Sequence, residues 1–286
     1  MENRDFLCEY RLKELNPELH RRVMDTGFLV VFLLEKYKNY FPDFTDHAVG
    51  HALHVIEFCN QLIGPENLEK LNAQELYVLL QGCYLHDIGM GISMRDFERF
   101  SGEVVPQAYL DAHPDARKQD LIRAFHHEFS GKLIYRYAEM LEFPSEAHTY
   151  AIAQVSRGHR KTNLYDPAEY PTDLQTPSGE TVCLPYLSAL IRLADEMDIG
   201  ADRNSLLEYG PEHGNLHVKA HAAVYRFEVR EDGFYAFAST RDEAVRNQVL
   251  SVVEKLQETL DECVDVIEKR THFHISQRRV NLTFEP

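Results

Sequence analysis

Residues 76–91 read Leu76-Tyr-Val-Leu-Leu-Gln-Gly-Cys-Tyr-Leu-His86-Asp87-Ile-Gly89-Met-Gly91, and the rest of the fold can be worked out from this stretch. Leu76, Leu79, Cys83 and His86 recur at helical spacing, so they form one stripe of a helix over 73–88. The stripe is apolar until it ends on an imidazole. Adjacent helix residues diverge by about 100°. His86 and Asp87 can therefore converge on a ligand only at a helix end or between two ions. Gly89 supplies the end. His86 would then hold one ion while the two oxygens of Asp87 bridge to a second, at the ~3.5–4 Å spacing of hydrolytic two-metal sites.

The same pattern recurs along the chain. In a helix over 46–63, which Asp46 could cap, His51 shares a stripe with Val55, Phe58 and Leu62. His47 lies one turn earlier on that face. Over 119–142 the stripe is Ile122, His126, Phe129 and Leu133. Over 145–157, begun by Ser145 after Pro144, Ile152 and Val155 lead to His159. Over 185–198, Leu187 and Ile191 align with Asp195. A further helix is expected over 18–40. One inward histidine is ordinarily a satisfied core residue. Five helices that each turn a His or Asp inward are not explained that way, because a buried ionised carboxylate is costly without a partner. A metal would satisfy the carboxylates and imidazoles together. The Gly- and Pro-rich stretches 89–118 and 160–184 read as long loops, either lids or surface connections.

Length and composition bound the architecture. With 286 residues, 44% of them apolar, the chain can build one large core or a domain with an appendage. The period changes after Asn204. His217 to Ala220, Tyr225 to Arg230 and Phe234 to Ser239 alternate like strands, and Glu231-Asp232-Gly233 reads as a hairpin turn. A helix over 241–270 follows, with Val249, Val252, Leu256, Cys263 and Ile267 on one face, and Arg279 to Phe284 looks like a last strand. The expected fold is mainly α. Residues 1–204 form a helical bundle domain, and 205–286 form a small α+β appendage of three strands, a long helix and a final strand. The long helix is expected on its own sheet, with a homodimer contact as the alternative.

The formal charge of −16 repels nucleic-acid backbones and argues against nonspecific DNA or RNA binding. It permits a small phosphorylated substrate, because bound metal reverses the local field. The five cysteines stand singly with no CxxC pair, so they read as core thiols rather than metal ligands. No apolar run reaches a membrane span, and the start Met1-Glu2-Asn3-Arg4-Asp5 is unlike a signal peptide. A cytoplasmic protein that does not use a membrane is the expectation.

The ordered set His51, His86-Asp87, Asp195 resembles the H…HD…D signature of the HD-domain phosphohydrolases. The local contexts resemble it too: His51-Ala-Leu-His-Val55, Leu85-His86-Asp87-Ile88-Gly89 and Leu193-Ala194-Asp195. The resemblance covers roughly residues 45–203 and implies a helical bundle with a metal-dependent phosphohydrolase site. His126-His-Glu-Phe-Ser130 and Ser156-Arg-Gly-His-Arg160 are similar to the binuclear branch, which includes the HD-GYP phosphodiesterases. That likeness makes His126, rather than His127, and His159 further ligands. His47 stands where some members carry an extra glutamate ligand, and would bind metal or substrate. No Gly-Tyr-Pro follows His159; the nearest echo is Glu169-Tyr170-Pro171, so cyclic-dinucleotide specificity does not carry over.

The implied reaction is hydrolysis of a phosphate ester, a nucleotide or related small molecule, by a metal-activated water. Asp87 is the bridging group, and His127 and Glu128 serve as a supporting layer or in proton transfer. Arg123, Arg157, Arg160 and Lys161, with Arg192, are candidate phosphate ligands. Asp46, Glu57, Glu128 and Asp198 are candidates to orient the imidazoles. The donor set suits iron or manganese, with zinc, nickel, cobalt and magnesium as further candidates. The rival reading is a regulatory HD module that binds a nucleotide or metal beside a protein partner without turnover.

Overall fold

The computed structural model describes residues 7–34, 49–200 and 215–285. Its centre is helix α4, Ala73–Leu85, in which every residue is buried. A helix apolar all round needs neighbours on every side. They are α1 (Leu7–Leu15), α2 (Pro17–Leu34), α3 (Val49–Lys70), α8 (Glu146–Gly158) and α9 (Leu184–Met197). Helix α1 is not marked by sequence periodicity; its Cys8 amide donates to Asn60 Oδ1 of α3 at 3.0 Å. Asn72 starts α4 with a reciprocal cap. Its side chain accepts from the Gln74 and Glu75 amides at 2.9 and 3.0 Å, and Glu75 accepts from the Asn72 amide at 3.1 Å. Helix α3 continues to Lys70 across a kink at Gly64, φ 64°, just before Pro65. Asp46 and His47 lie outside the described residues.

The stretch expected as a loop over 89–118 is mostly helical. After the 3₁₀ turn Ile88–Gly91 come α5, Met94–Val104, and α6, Gln107–Ala112. The reason lies in where the breakers fall. Gly89 and Gly91 sit in the 3₁₀ turn, Pro106 caps α6, and Pro114 follows it. Ser93 caps α5, accepting from the Asp96 amide at 3.1 Å, and Phe97, Phe100 and Val104 are buried. Helix α7, Lys118–Tyr137, then packs on α8 and on the 3₁₀ turn. The 160–184 stretch carries only a small hairpin, β1 (Leu174–Gln175) and β2 (Thr181–Val182).

A small appendage containing strands follows the bundle. Residues 217–220 are not a strand: Leu216–Ala223 forms helix α10, capped by Asn215, whose side chain accepts from the Val218 amide at 3.0 Å. Four alternating residues cannot separate a period of 2 from one of 3.6, and the cap decides it. Strands β3 (Val224–Arg230) and β4 (Gly233–Ala238) pair antiparallel, and β5 (Arg279–Phe284) joins β4 in parallel. The crossover between them is α11, Glu243–Arg270. It packs on α9, α10 and β5, so it faces the bundle as well as its own sheet. Arg192 of α9 and Glu262 of α11 form an ion pair at 2.7 Å. Among the described residues no helix is long and apolar enough to cross a membrane.

Candidate metal centre

Four helix ends meet at one place. His86 caps the C-terminus of α4 and His159 that of α8, while Asp195 and Asp198 end α9. His51 comes from the first turn of α3. His126 follows a break in α7, where Phe125 leaves helical geometry at φ −121°, ψ 16°. Glycine allows the approach. A Cβ on Gly89 would lie 2.1 Å from the His126 carbonyl oxygen, and one on Gly158 would lie 2.5 Å from Ser188 Cβ. Ser130 ties the seam: its hydroxyl donates to the His86 carbonyl at 2.6 Å and accepts from the Gly89 amide at 2.9 Å.

The hydrogen bonds fix the imidazoles. Nδ1 of His86, His126 and His159 contacts the carbonyl three residues earlier, Cys83, Arg123 and Ser156, at 2.8, 2.7 and 2.5 Å. A carbonyl can only accept, so each Nδ1 donates and each Nε2 keeps its lone pair. His51 Nδ1 does the same to Asp198 Oδ2 at 2.6 Å, and His54 shares that carboxylate at 3.2 Å. The Nε2 atoms then face each other in pairs, His51 with His86 at 3.0 Å and His126 with His159 at 2.9 Å.

Asp87 lies between the pairs. Its Oδ2 is 3.7 Å from His51 Nε2 and 3.5 Å from His86 Nε2, while its Oδ1 is 3.3 Å from His126 Nε2 and 3.6 Å from His159 Nε2. Asp195 Oδ1 joins the first pair, 3.1 Å from His51 Nε2. Lone pairs held this close repel unless a cation lies among them. Donors ~2.0–2.1 Å from one ion stand about 3 Å apart, so the residues fit divalent metal. Two clusters, His51–His86–Asp87 and Asp87–His126–His159, are capable of coordinating such ions.

The electrostatics agree. Burial lowers the His126 pKa, with Asp87 opposing and Arg160 adding to the shift. Burial, then His86 and His126, hold His159 well below the usual range. Both imidazoles are thus neutral, as ligands must be.

A cavity of about 200 Å³ opens on this centre, lined in part by Asp87, His126, Asp195 and Asp198. Arg123 and Arg160 also line it, and the Arg160 guanidinium makes no hydrogen bond or ion pair among the described residues. Arg157, Lys161, His127 and Glu128 are not among its lining residues. Glu128 grips Arg157 through two bonds of 2.9 and 2.8 Å, and Lys161 is exposed. His127 sits behind His126; burial, then His126 and Arg160, push its pKa down to about 3. Arg192 is buried and bonded to the carbonyls of Gly158 and Thr162. Of the carboxylates that could orient an imidazole, Asp198 does so for His51. Sequence reasoning missed the cavity residues of the appendage, His217, His221, Val252 and Lys255. The i, i+4 spacing of His217 and His221 was the available signal, hidden by reading that segment as a strand.

A helical bundle that gathers His51, His86-Asp87 and Asp195 around a metal-binding centre, with His126 and His159 forming a second cluster, defines an HD-superfamily metal-binding protein. The chain belongs to the HD-CE family, whose model matches residues 41–272. No curated protein and no solved structure matches the chain.

Proposed function

We propose that the chain hydrolyses a phosphate ester of a small molecule, nucleotides included, at two divalent ions. The observation that carries this reading is the Asp87 carboxylate, with one oxygen toward each imidazole pair. His51, His86, Asp195 and Asp87 would hold the first ion, and His126, His159 and Asp87 the second. Ions there would supply Lewis acidity and a water of lowered pKa. Asp87 fixes the spacing of the two sites. Arg160 and Arg123 take the phosphoryl oxygens, and their charge offsets what develops there in the transition state. His127 and Glu128 form the layer behind, Glu128 by holding Arg157. Imidazole with carboxylate suits iron or manganese, with zinc, nickel, cobalt or magnesium as substitutes.

The test is turnover by protein loaded with manganese or iron against nucleoside phosphates, cyclic nucleotides, sugar phosphates and nitrophenyl phosphates. Asp87→Asn should lower kcat by about 10³-fold, a loss of several kcal/mol in transition-state stabilisation. Undiminished activity in that variant contradicts the proposal. Full metal with no ester turned over favours the regulatory reading instead.

A further inference from the structure

The second cluster takes His159 from beyond the end of a helix. Helix α8 stops at Gly158, and residues 159–163 carry neither helix nor strand. The last carbonyls of a helix have no partner within it, so whatever receives them sets where the chain goes next. The bond from His159 Nδ1 to the Ser156 carbonyl fixes the ring against its own backbone. It does not fix that backbone against the other ligands.

The bonds that do so come from α9. Arg192 Nε donates to the Gly158 carbonyl at 2.8 Å, and Nη2 donates to the Thr162 carbonyl at 2.8 Å and to Thr162 Oγ1 at 3.1 Å. One planar guanidinium thus holds both ends of the segment 158–162, with His159 and Arg160 between them. Tyr170 donates to the same Thr162 hydroxyl at 2.8 Å. One turn before Arg192, Ser188 lies so close to Gly158 that a Cβ there would come within 2.5 Å of its own. The remaining bond reaches the appendage: Arg192 Nη1 donates to Glu262 Oε1 of α11 at 2.7 Å. Arg192 is 4% exposed and is not among the described residues that line the cavity. It therefore acts through the segment it holds rather than on a ligand. A buried charge is a costly filler, and apolar side chains of similar volume often serve stability as well. Its presence points to a task that needs the fork.

We propose that Arg192 is the positioning residue of the second metal site, and that Glu262 holds it to that task from the appendage. This rests on the two-ion reading above and not on ester hydrolysis. The fork keeps the segment where His159 Nε2 stands 2.9 Å from His126 Nε2 and 3.6 Å from Asp87 Oδ1. Lysine at 192 would keep the charge but gather its donors at one point, and could not reproduce the fork. The first site is spared, because His51 and His86 come from α3 and α4, and Asp195 is held by the buried Leu187, Ile191 and Leu193 of its own helix.

The test is manganese binding by competition with a chelator, with no ester present. Wild type should show two steps, and His126→Ala identifies the step that belongs to the first cluster. In Arg192→Lys the affinity of the second site should fall about 10–100-fold, with the first site within about threefold of wild type. Glu262→Ala should weaken the second site in the same selective way by about three- to tenfold. In both variants the spin-coupled signal of a manganese pair should need correspondingly more metal to appear. Thermal melting establishes that each variant is folded. Should Arg192→Lys not fold, Glu262→Ala decides, since Glu262 is half exposed on α11. In either folded variant, equal losses at both sites, or no loss at the second, overturn the proposal while the two-ion reading stands. A wild type that binds one ion overturns both.

Discussion

The His51 imidazole donates its Nδ1 proton to Asp198 at 2.6 Å, which commits its Nε2 lone pair to the first cluster. His86, His126 and His159 reach the same state through backbone carbonyls three residues back, so Asp198 is the side chain whose removal can be tested by substitution. Asp198→Asn keeps the volume and removes the charge. Metal affinity at the first cluster should fall about 10–100-fold, as is usual when such a partner is lost, with the second cluster far less affected. Chelator competition measures both affinities; an equal loss at both clusters contradicts this division. At this scale much was legible. An imidazole or carboxylate that ends an apolar stripe announces itself, so His51, His86, His126, His159 and Asp195 could be read from spacing. The grip of Glu128 on Arg157 could not, because a contact across 29 positions leaves no periodic trace.

At the scale of elements, the site depends on how closely the 3₁₀ turn Ile88–Gly91 meets α7. An alanine Cβ at Gly89 would sit 2.1 Å from the His126 carbonyl oxygen and 2.8 Å from the Ser130 amide nitrogen. These are backbone atoms of the helix that carries His126, and they cannot move without moving the ligand. Gly89→Ala should cost about 3 kcal/mol or more, the upper range for overpacking, and should weaken the second cluster. Denaturant melts read the first effect, and a melt like that of wild type would show that α7 yields. The sequence indicated Gly89 only as a helix terminator. Close approach depends on a partner 37 to 41 positions away and is visible only in three dimensions. The helices α5 and α6 were hidden for another reason: glycine and proline mark boundaries, and several boundaries close together look like a loop. Helix α10 was lost to a stretch too short for its period to be read.

Across the whole molecule, bundle and appendage meet at the metal centre. Helix α11 packs on α9, which carries Asp195, and Arg192 links Gly158, the neighbour of His159, to Glu262 of α11. The helices that bring His51, His86, His126, His159 and Asp195 together were legible because each carries its own stripe. The appendage's share in the cavity was not, since the change of period near Asn204 suggested a separate unit and residues 201–214 lie outside the described residues. The central claim is that Asp87 joins two metal sites into one. Elemental analysis of the purified, metal-loaded protein tests it most directly. Wild type should hold two ions per chain, His126→Ala one, and Asp87→Ala almost none. One ion per chain in wild type, or an Asp87→Ala variant that still binds one ion tightly, would contradict the account.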